Sequence, residues 1–172
     1  MTLTTHAVTG AVIAKLMAGN PLLGLFLAFC SHFILDAFPH WDYPLKSHNE
    51  DKKNPLDSTM SINGHFVKDF LNVSMDGMLG LILSFILVSQ LEFNAYILGA
   101  ALVAQLPDAL QFVYWRVRRE PLTSLQKFHI WIHTKNKMRN MKWVSISAQA
   151  LFILLVTASF WANSYPLAQL FR

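Results

Sequence analysis

The residues with the greatest chemical potential in this chain are histidines and aspartates placed four apart. His32, Asp36 and His40 recur at i, i+4, a spacing that puts successive side chains on one helical face and lets two of them reach one ion. Pro39 is expected to bend the end of that run and redirect His40 together with Asp42. His129 and His133 repeat the spacing later in the chain. That second pair lacks the glutamate that follows the first histidine of the zincin motif, so the zincin protease mechanism is not supported. Mixed imidazole and carboxylate donors suit zinc, manganese or iron, whereas an all-oxygen set points to magnesium or calcium. The candidate metal ligands are His32, Asp36, His40, Asp42, Asp108, His129 and His133, with His6 and Asp76 next. Zinc is the first choice of ion. Asp42 or Asp76 is the candidate catalytic general base.

Each of these residues also has a plain structural reading. His32 and Asp36 can form an internal hydrogen-bonded pair that joins two helices. His129 and His133 can decorate a basic interface. Asp76 can cap its own helix, where the dipole stabilises an acid near the N-terminus. His48 and His65 read as loop residues, and Asp69 as a solvated helix residue.

The surrounding sequence places these groups in a membrane. The chain has 172 residues, 53% of them hydrophobic and only 14% charged, a balance unusual for a soluble domain. The length suits one domain spanning 1–172. The formal charge of +4 comes from basic residues flanking apolar runs, which membrane topology explains better than nucleic acid. No nucleic-acid partner is expected. Cys30 is the single cysteine, so no intrachain disulfide can form; it reads as an apolar filler. The N-terminal stretch lacks a basic n-region, and no cleaved signal peptide is expected.

Hydropathy and punctuation predict an all-α polytopic membrane helical bundle of four main hydrophobic helices plus a short N-terminal helix. The short helix covers residues 5 to about 17, and Gly19-Asn20-Pro21 restarts the chain into a second apolar helix over 22–38. A polar loop follows at about 41–63. Asn63 caps a third helix, on which His65, Asp69, Asn72 and Asp76 share one face. A fourth helix covers 95–115, a basic His-containing segment 116–142, and a last apolar helix 143–161. Except for the first, these runs approach the roughly 20 residues that span a bilayer. The match between His32-x-x-x-Asp36 and His65-x-x-x-Asp69 reads as coincidence, not as a repeat.

Lys and Arg collect in two places. Lys46, Lys52, Lys53 and Lys68 lie between the second and third apolar runs, and Arg116 to Lys142 contains eight more. Alternating helices put both on one side, which the positive-inside rule assigns to the cytoplasm. The other side holds the turns at Asn20 and Glu92 and the tail ending in Arg172. In this frame Asp108 lies about 12 Å below Arg116, at a depth like that of His32. All nine candidate ligands fall in the cytoplasmic half. An ionised carboxylate in hydrocarbon costs at least ~2.5 kcal/mol, and a divalent cation would offset that cost.

Thr5-His6-Ala-Val-Thr-Gly10, Ser31-His32-Phe-Ile-Leu-Asp36-Ala-Phe-Pro39-His40-Trp41-Asp42, Asp76-Gly77, Leu106-Pro107-Asp108 and Phe128-His129-Ile-Trp-Ile-His133 together span most of the chain. This pattern resembles the bacterial YdjM-like membrane-bound metal-dependent hydrolases. More distantly it is similar to zinc-dependent phospholipase C and related nucleases, although Asp36 and His40 stand closer together than in that family. The resemblance implies metal binding and, with it, hydrolysis in the bacterial cytoplasmic (inner) membrane.

The expected function is therefore metal-dependent hydrolysis of a phosphoester or phospholipid at the cytoplasmic face. Membrane lipids would be partners, and nearby Lys and Arg would attract an anionic head group. The rival is a non-catalytic metal-binding or metal/proton transport protein in which His32, Asp36 and Asp108 line a pathway. A third reading is a scaffold with buried polar pairs and no metal.

Overall fold

A computed structural model describes residues 1–164; Arg172 and its tail lie outside them. The described chain is mainly helical, with one short β-hairpin and several irregular connections. Helices α1 (Leu3–Leu16), α2 (Pro21–Asp36), α3 (Gly64–Leu87), α4 (Ala95–Val117), α5 (Leu122–Ile132) and α6 (Lys142–Ser164) are joined by tight turns and by the 41–63 loop, in which β1 (His48–Asn49) pairs antiparallel with β2 (Thr59–Met60).

Local chemistry accounts for the helix boundaries. Asn20, Asn63 and Asn94 each accept a hydrogen bond from a first-turn N–H of α2, α3 and α4, satisfying donors that have no partner inside the helix. Pro21 occupies the first helical position of α2, where a missing N–H costs nothing. Part of the basic 116–142 segment folds into α5, which buries Gln126 and His129 and exposes Phe128 and Trp131.

Helices α3, α4 and the stretch leading through α6 are long and apolar enough to cross a membrane, and α2 is an apolar helix of 16 residues. The outer face of α3 exposes Val67, Phe70, Leu71, Met75, Met78 and Ile82. A row of this size is a liability in water and ordinary in contact with hydrocarbon. This is a membrane protein.

The short first helix occupies the middle of the bundle. It packs against α2, α3, α4 and α6, and every residue from Thr4 to Val12 is buried. Its small side chains allow this. A Cβ on Gly10 would fall 2.5 Å from the Ala104 Cβ and 2.8 Å from the Ala100 oxygen; one on Gly80 would fall 2.7 Å from the Ala7 Cβ. Small residues at such contacts let membrane helices approach closely. Ala7, Val8, Ala11 and Val12 then join Val88, Ile97, Ala101 and Ile153 in an apolar core.

Candidate metal centre

Four helices and the residues just beyond α2 and α5 deliver side chains to one point. Helix α1 supplies His6, α2 supplies His32 and Asp36 with His40 and Asp42 following, α4 supplies Asp108, and α5 supplies His129 with His133 at its C-cap. Asp36 stands at the centre. Its Oδ2 lies 3.2 Å from the Nε2 atoms of both His32 and His129, and 3.8 Å from His133 Nε2. Its Oδ1 lies 3.2 Å from His6 Nε2 and 3.6 Å from His40 Nε2. Asp108 Oδ1 is 3.6 Å from His32 Nε2. Asp42 Oδ1 lies 3.0 Å from His40 Nε2, and its Oδ2 3.3 Å from His133 Nε2.

Two groups within this assembly have donor atoms all within 4.8 Å of one another, as a metal site requires: His32, Asp36, Asp108 and His129, and then Asp36, His40 and His133. His6, His32, Asp36 and His40 are almost completely buried. Asp108 is 34% exposed, Asp42 21% and His133 20%, so these three form the accessible edge.

The imidazole tautomers follow from main-chain contacts. Nδ1 of His32 donates to the Ala104 carbonyl at 2.9 Å, Nδ1 of His40 to the Phe38 carbonyl at 2.7 Å, and Nδ1 of His133 to the Thr134 carbonyl at 3.0 Å. A carbonyl can only accept, so the proton is on Nδ1 and the Nε2 lone pair of each neutral ring points at the carboxylates. Two acceptors face each other at every such contact. Extra protons or a shared cation would relieve this. Protonating all the rings is costly, because ring centroids stand 4.0 Å apart for His6 and His32, 5.2 Å for His32 and His129, and 5.0 Å for His40 and His133. Two unit charges at 5 Å repel by about 3 kcal/mol at an effective dielectric of 20. Among the described residues His6 Nδ1, His6 Nε2 and His32 Nε2 are buried without a hydrogen-bond partner, although the two Nε2 atoms lie 3.2 Å from Asp36 oxygens. Lone pairs held in this way fit a divalent cation, and the Nδ1 contacts are the outer support that orients imidazole ligands.

On the accessible edge, burial raises the Asp42 pKa, but His133 and His40, which donate to it from Nε2 when protonated, and the positive charge at Met1 outweigh it and hold the carboxyl well below the usual range. Burial would lower the His133 pKa, yet the Asp42 hydrogen bond and the charges of Asp36 and Asp42 raise it overall. The Met1 nitrogen donates to Asp36 Oδ1 at 2.7 Å and to Asp42 Oδ1 at 3.0 Å, and stands 2.7 Å from His40 Nε2.

Asp76 is used differently from the rest. Its carboxylate accepts from Leu3 N at 2.5 Å, from Thr4 N at 3.3 Å and from Thr4 Oγ1 at 2.6 Å. It therefore caps α1, not its own helix, and the α1 N-cap residue Thr2 makes no side-chain capping bond. Tyr43 donates its hydroxyl to Asp76; burial first, and then that carboxylate, push the phenol pKa up. Asp69 is buried, not solvated, and accepts from both the N–H and the hydroxyl of Ser47 at 2.7 Å. His65 and Asn72, expected on the same stripe, are exposed.

Helix α6 contributes supports that hydropathy hides. Ser145 Oγ accepts from Trp41 N at 2.7 Å, Gln149 Oε1 accepts from Thr2 N at 2.9 Å, and Gln149 Nε2 donates to Ser145 Oγ at 3.3 Å. Thr134 N donates to the Asp36 carbonyl at 2.8 Å. Together these bonds hold the Asp42 loop, the start of α1 and the end of α5 around the centre. The available signal was a Ser and a Gln four apart in an otherwise apolar run. No family model, no curated protein and no solved structure matches the chain.

Proposed function

We propose that this protein is a metal-dependent hydrolase of the bacterial cytoplasmic membrane that cleaves a phosphoester of a lipidic or phosphorylated substrate at the cytoplasmic face. The observation that carries this reading is the set of buried imidazole lone pairs, fixed by their Nδ1 contacts, that converge with Asp36 and Asp108. In this reading α2 is the fourth membrane helix, shortened because its end carries the site. A divalent ion, zinc by the chemistry of the donors, would be held by His32, Asp36, Asp108 and His129, and would supply Lewis acidity and lower the pKa of water.

The chain's own residues do the rest. Asp42 is ionised and sits at the accessible edge, 3.3 Å from His133 Nε2, so it is placed to take a proton from an attacking water. Asp76 is fully engaged by α1, which leaves the base role to Asp42. Lys137 lies 3.8 Å from Asp42, and with Arg139 and Lys142 it provides positive charge for an anionic head group.

The transport reading needs a polar route to the far face. Beneath the site the centre of the bundle is mainly Ala7, Val8, Ala11, Val12, Val88 and Ile97, and the buried hydroxyls of Thr9 and Ser84 are bonded back to their own helices, which favours a one-sided site.

The test is elemental analysis of protein purified without chelator, beside Asp36→Ala and Asp108→Ala. The expected result is stoichiometric transition metal in the wild type, at least tenfold depletion in Asp36→Ala, and chelator-sensitive hydrolysis of a phosphodiester or phospholipid. Metal-free wild-type protein sinks the reading. Ion flux in proteoliposomes without hydrolysis transfers support to transport.

A further inference from the structure

We infer that Asp36 bridges two divalent cations, the first held with His32, Asp108 and His129 and the second with His40 and His133. The inference rests on the metal reading above and goes beyond it in the number of ions and the role of the shared carboxylate.

Asp36 is the only residue common to the two donor groups, and each group brings two imidazoles of its own. The carboxylate oxygens divide between them. Oδ2 takes His32 and His129, both at 3.2 Å; Oδ1 faces His40 at 3.6 Å. His133 alone approaches across this division, at 3.8 Å from Oδ2. Both groups contain Nε2 atoms whose lone pairs are aimed inward by an Nδ1–H bond to a carbonyl, so the second group is built for a cation in the same way as the first.

Ligand number points the same way. A single zinc ion takes four ligands, and a lone ion in the first group would leave His40 and His133 facing Asp42 with only the Met1 nitrogen among them. The second group already surrounds a positive centre: the Met1 nitrogen stands 2.7 Å from Asp36 Oδ1, 2.7 Å from His40 Nε2 and 3.0 Å from Asp42 Oδ1. Two ions sharing the Asp36 carboxylate would supply charge stabilisation for the attacking and leaving oxygens of a displacement at phosphorus. Asp42 would lie beside the second ion, placed to accept a proton. Asp108, one-third exposed, marks the open flank of the first.

The experiment measures ion stoichiometry and ion coupling independently of turnover. Protein with any affinity tag at the C-terminus, so that Met1 is undisturbed, is loaded with zinc for elemental analysis and with manganese(II) for electron paramagnetic resonance. Wild type is expected to hold two ions per chain and to give an exchange-coupled manganese spectrum. Asp108→Ala and the pair His40→Gln with His133→Gln are each expected to hold one ion and to show the hyperfine pattern of an isolated ion. Asp36→Asn should lose the coupling and at least tenfold in affinity. Size-exclusion profiles and thermal unfolding identify folded variants, and the wild-type spectrum alone decides if a variant does not fold. Saturation of wild type at one ion overturns the inference and leaves the Met1 nitrogen as the occupant of the second group. Undiminished stoichiometry in folded His40/His133 variants also overturns it. Absence of any ion overturns both this inference and the metal-dependent function. Two coupled ions without hydrolysis uphold the bridge and remove the catalytic reading.

Discussion

Asp36 and Asp76 show how two aspartates of similar setting take different tasks. Asp36 meets imidazoles from α1, α2, α5 and the loop after α2, so its charge calls for a cation. Asp76 meets the N–H groups of Leu3 and Thr4 and the Thr4 hydroxyl, so the positive end of α1 answers its charge. The separation is testable. Asp76→Asn keeps one acceptor oxygen and loses the charge, and it should destabilise the protein by about 1–2 kcal/mol, the range of a helix cap. Chemical unfolding in detergent measures that loss, while metal content should stay at the wild-type level. A fall in bound metal matching that of Asp36→Ala would move Asp76 into the ligand set. The sequence displayed both residues as acids near the start or end of an apolar run; nothing in that local pattern says which backbone or side chain lies opposite.

At the scale of elements, α1 joins packing to chemistry. Its glycine and alanines let α4 come close enough for Ala104 to hold His32 by its carbonyl, and α1 carries His6 onto the His32 ring. Gly10→Ala puts a methyl 2.5 Å from the Ala104 Cβ, so the two helices must move apart. The expected cost is about 1–3 kcal/mol of stability, together with a 10- to 100-fold loss of metal affinity from disturbing the support of a ligand. Gly19→Ala meets nothing within 4 Å and serves as the control, with both properties near wild type. Metal titration and thermal unfolding of the two variants check the pair; equal metal affinity in Gly10→Ala would disconnect the helix contact from the site. The length and apolar character of α1 were legible in the sequence. Its central place was not, because a 14-residue apolar helix looks the same whether it lies at the rim or in the core.

For the whole molecule, the structure puts the 41–63 loop, α5 and the basic 135–142 stretch at one end with the site, and the turns near Asn20 and Phe93 join helices at the other. The assignment of the site end to the cytoplasm rests on the charge of the loops. It predicts that, in a Cys30→Ser background, a membrane-impermeant thiol reagent applied to intact cells labels Asn20→Cys and Phe93→Cys and spares Ser61→Cys and Asn140→Cys until the membrane is opened. The reverse pattern would place the site outside the cytoplasm and remove cytoplasmic lipid phosphates as its substrates.

The sequence by itself determined the membrane class, the approximate helix spans and the inventory of His and Asp, because hydropathy, caps and i, i+4 spacing are local properties carried by neighbouring residues. The depth match between His32 and Asp108 also followed from rise per residue, and the two meet at 3.6 Å. Only the tertiary structure decided that Asp36 is the hub, that His6 stacks on His32, that Asp76 caps another helix, that Asp69 is buried on Ser47, and that Ser145 and Gln149 brace the loop before the site. Each of these depends on which faces of distant helices touch. That choice is made by small residues such as Gly10 and Gly80, whose close contacts leave no periodic trace in the chain.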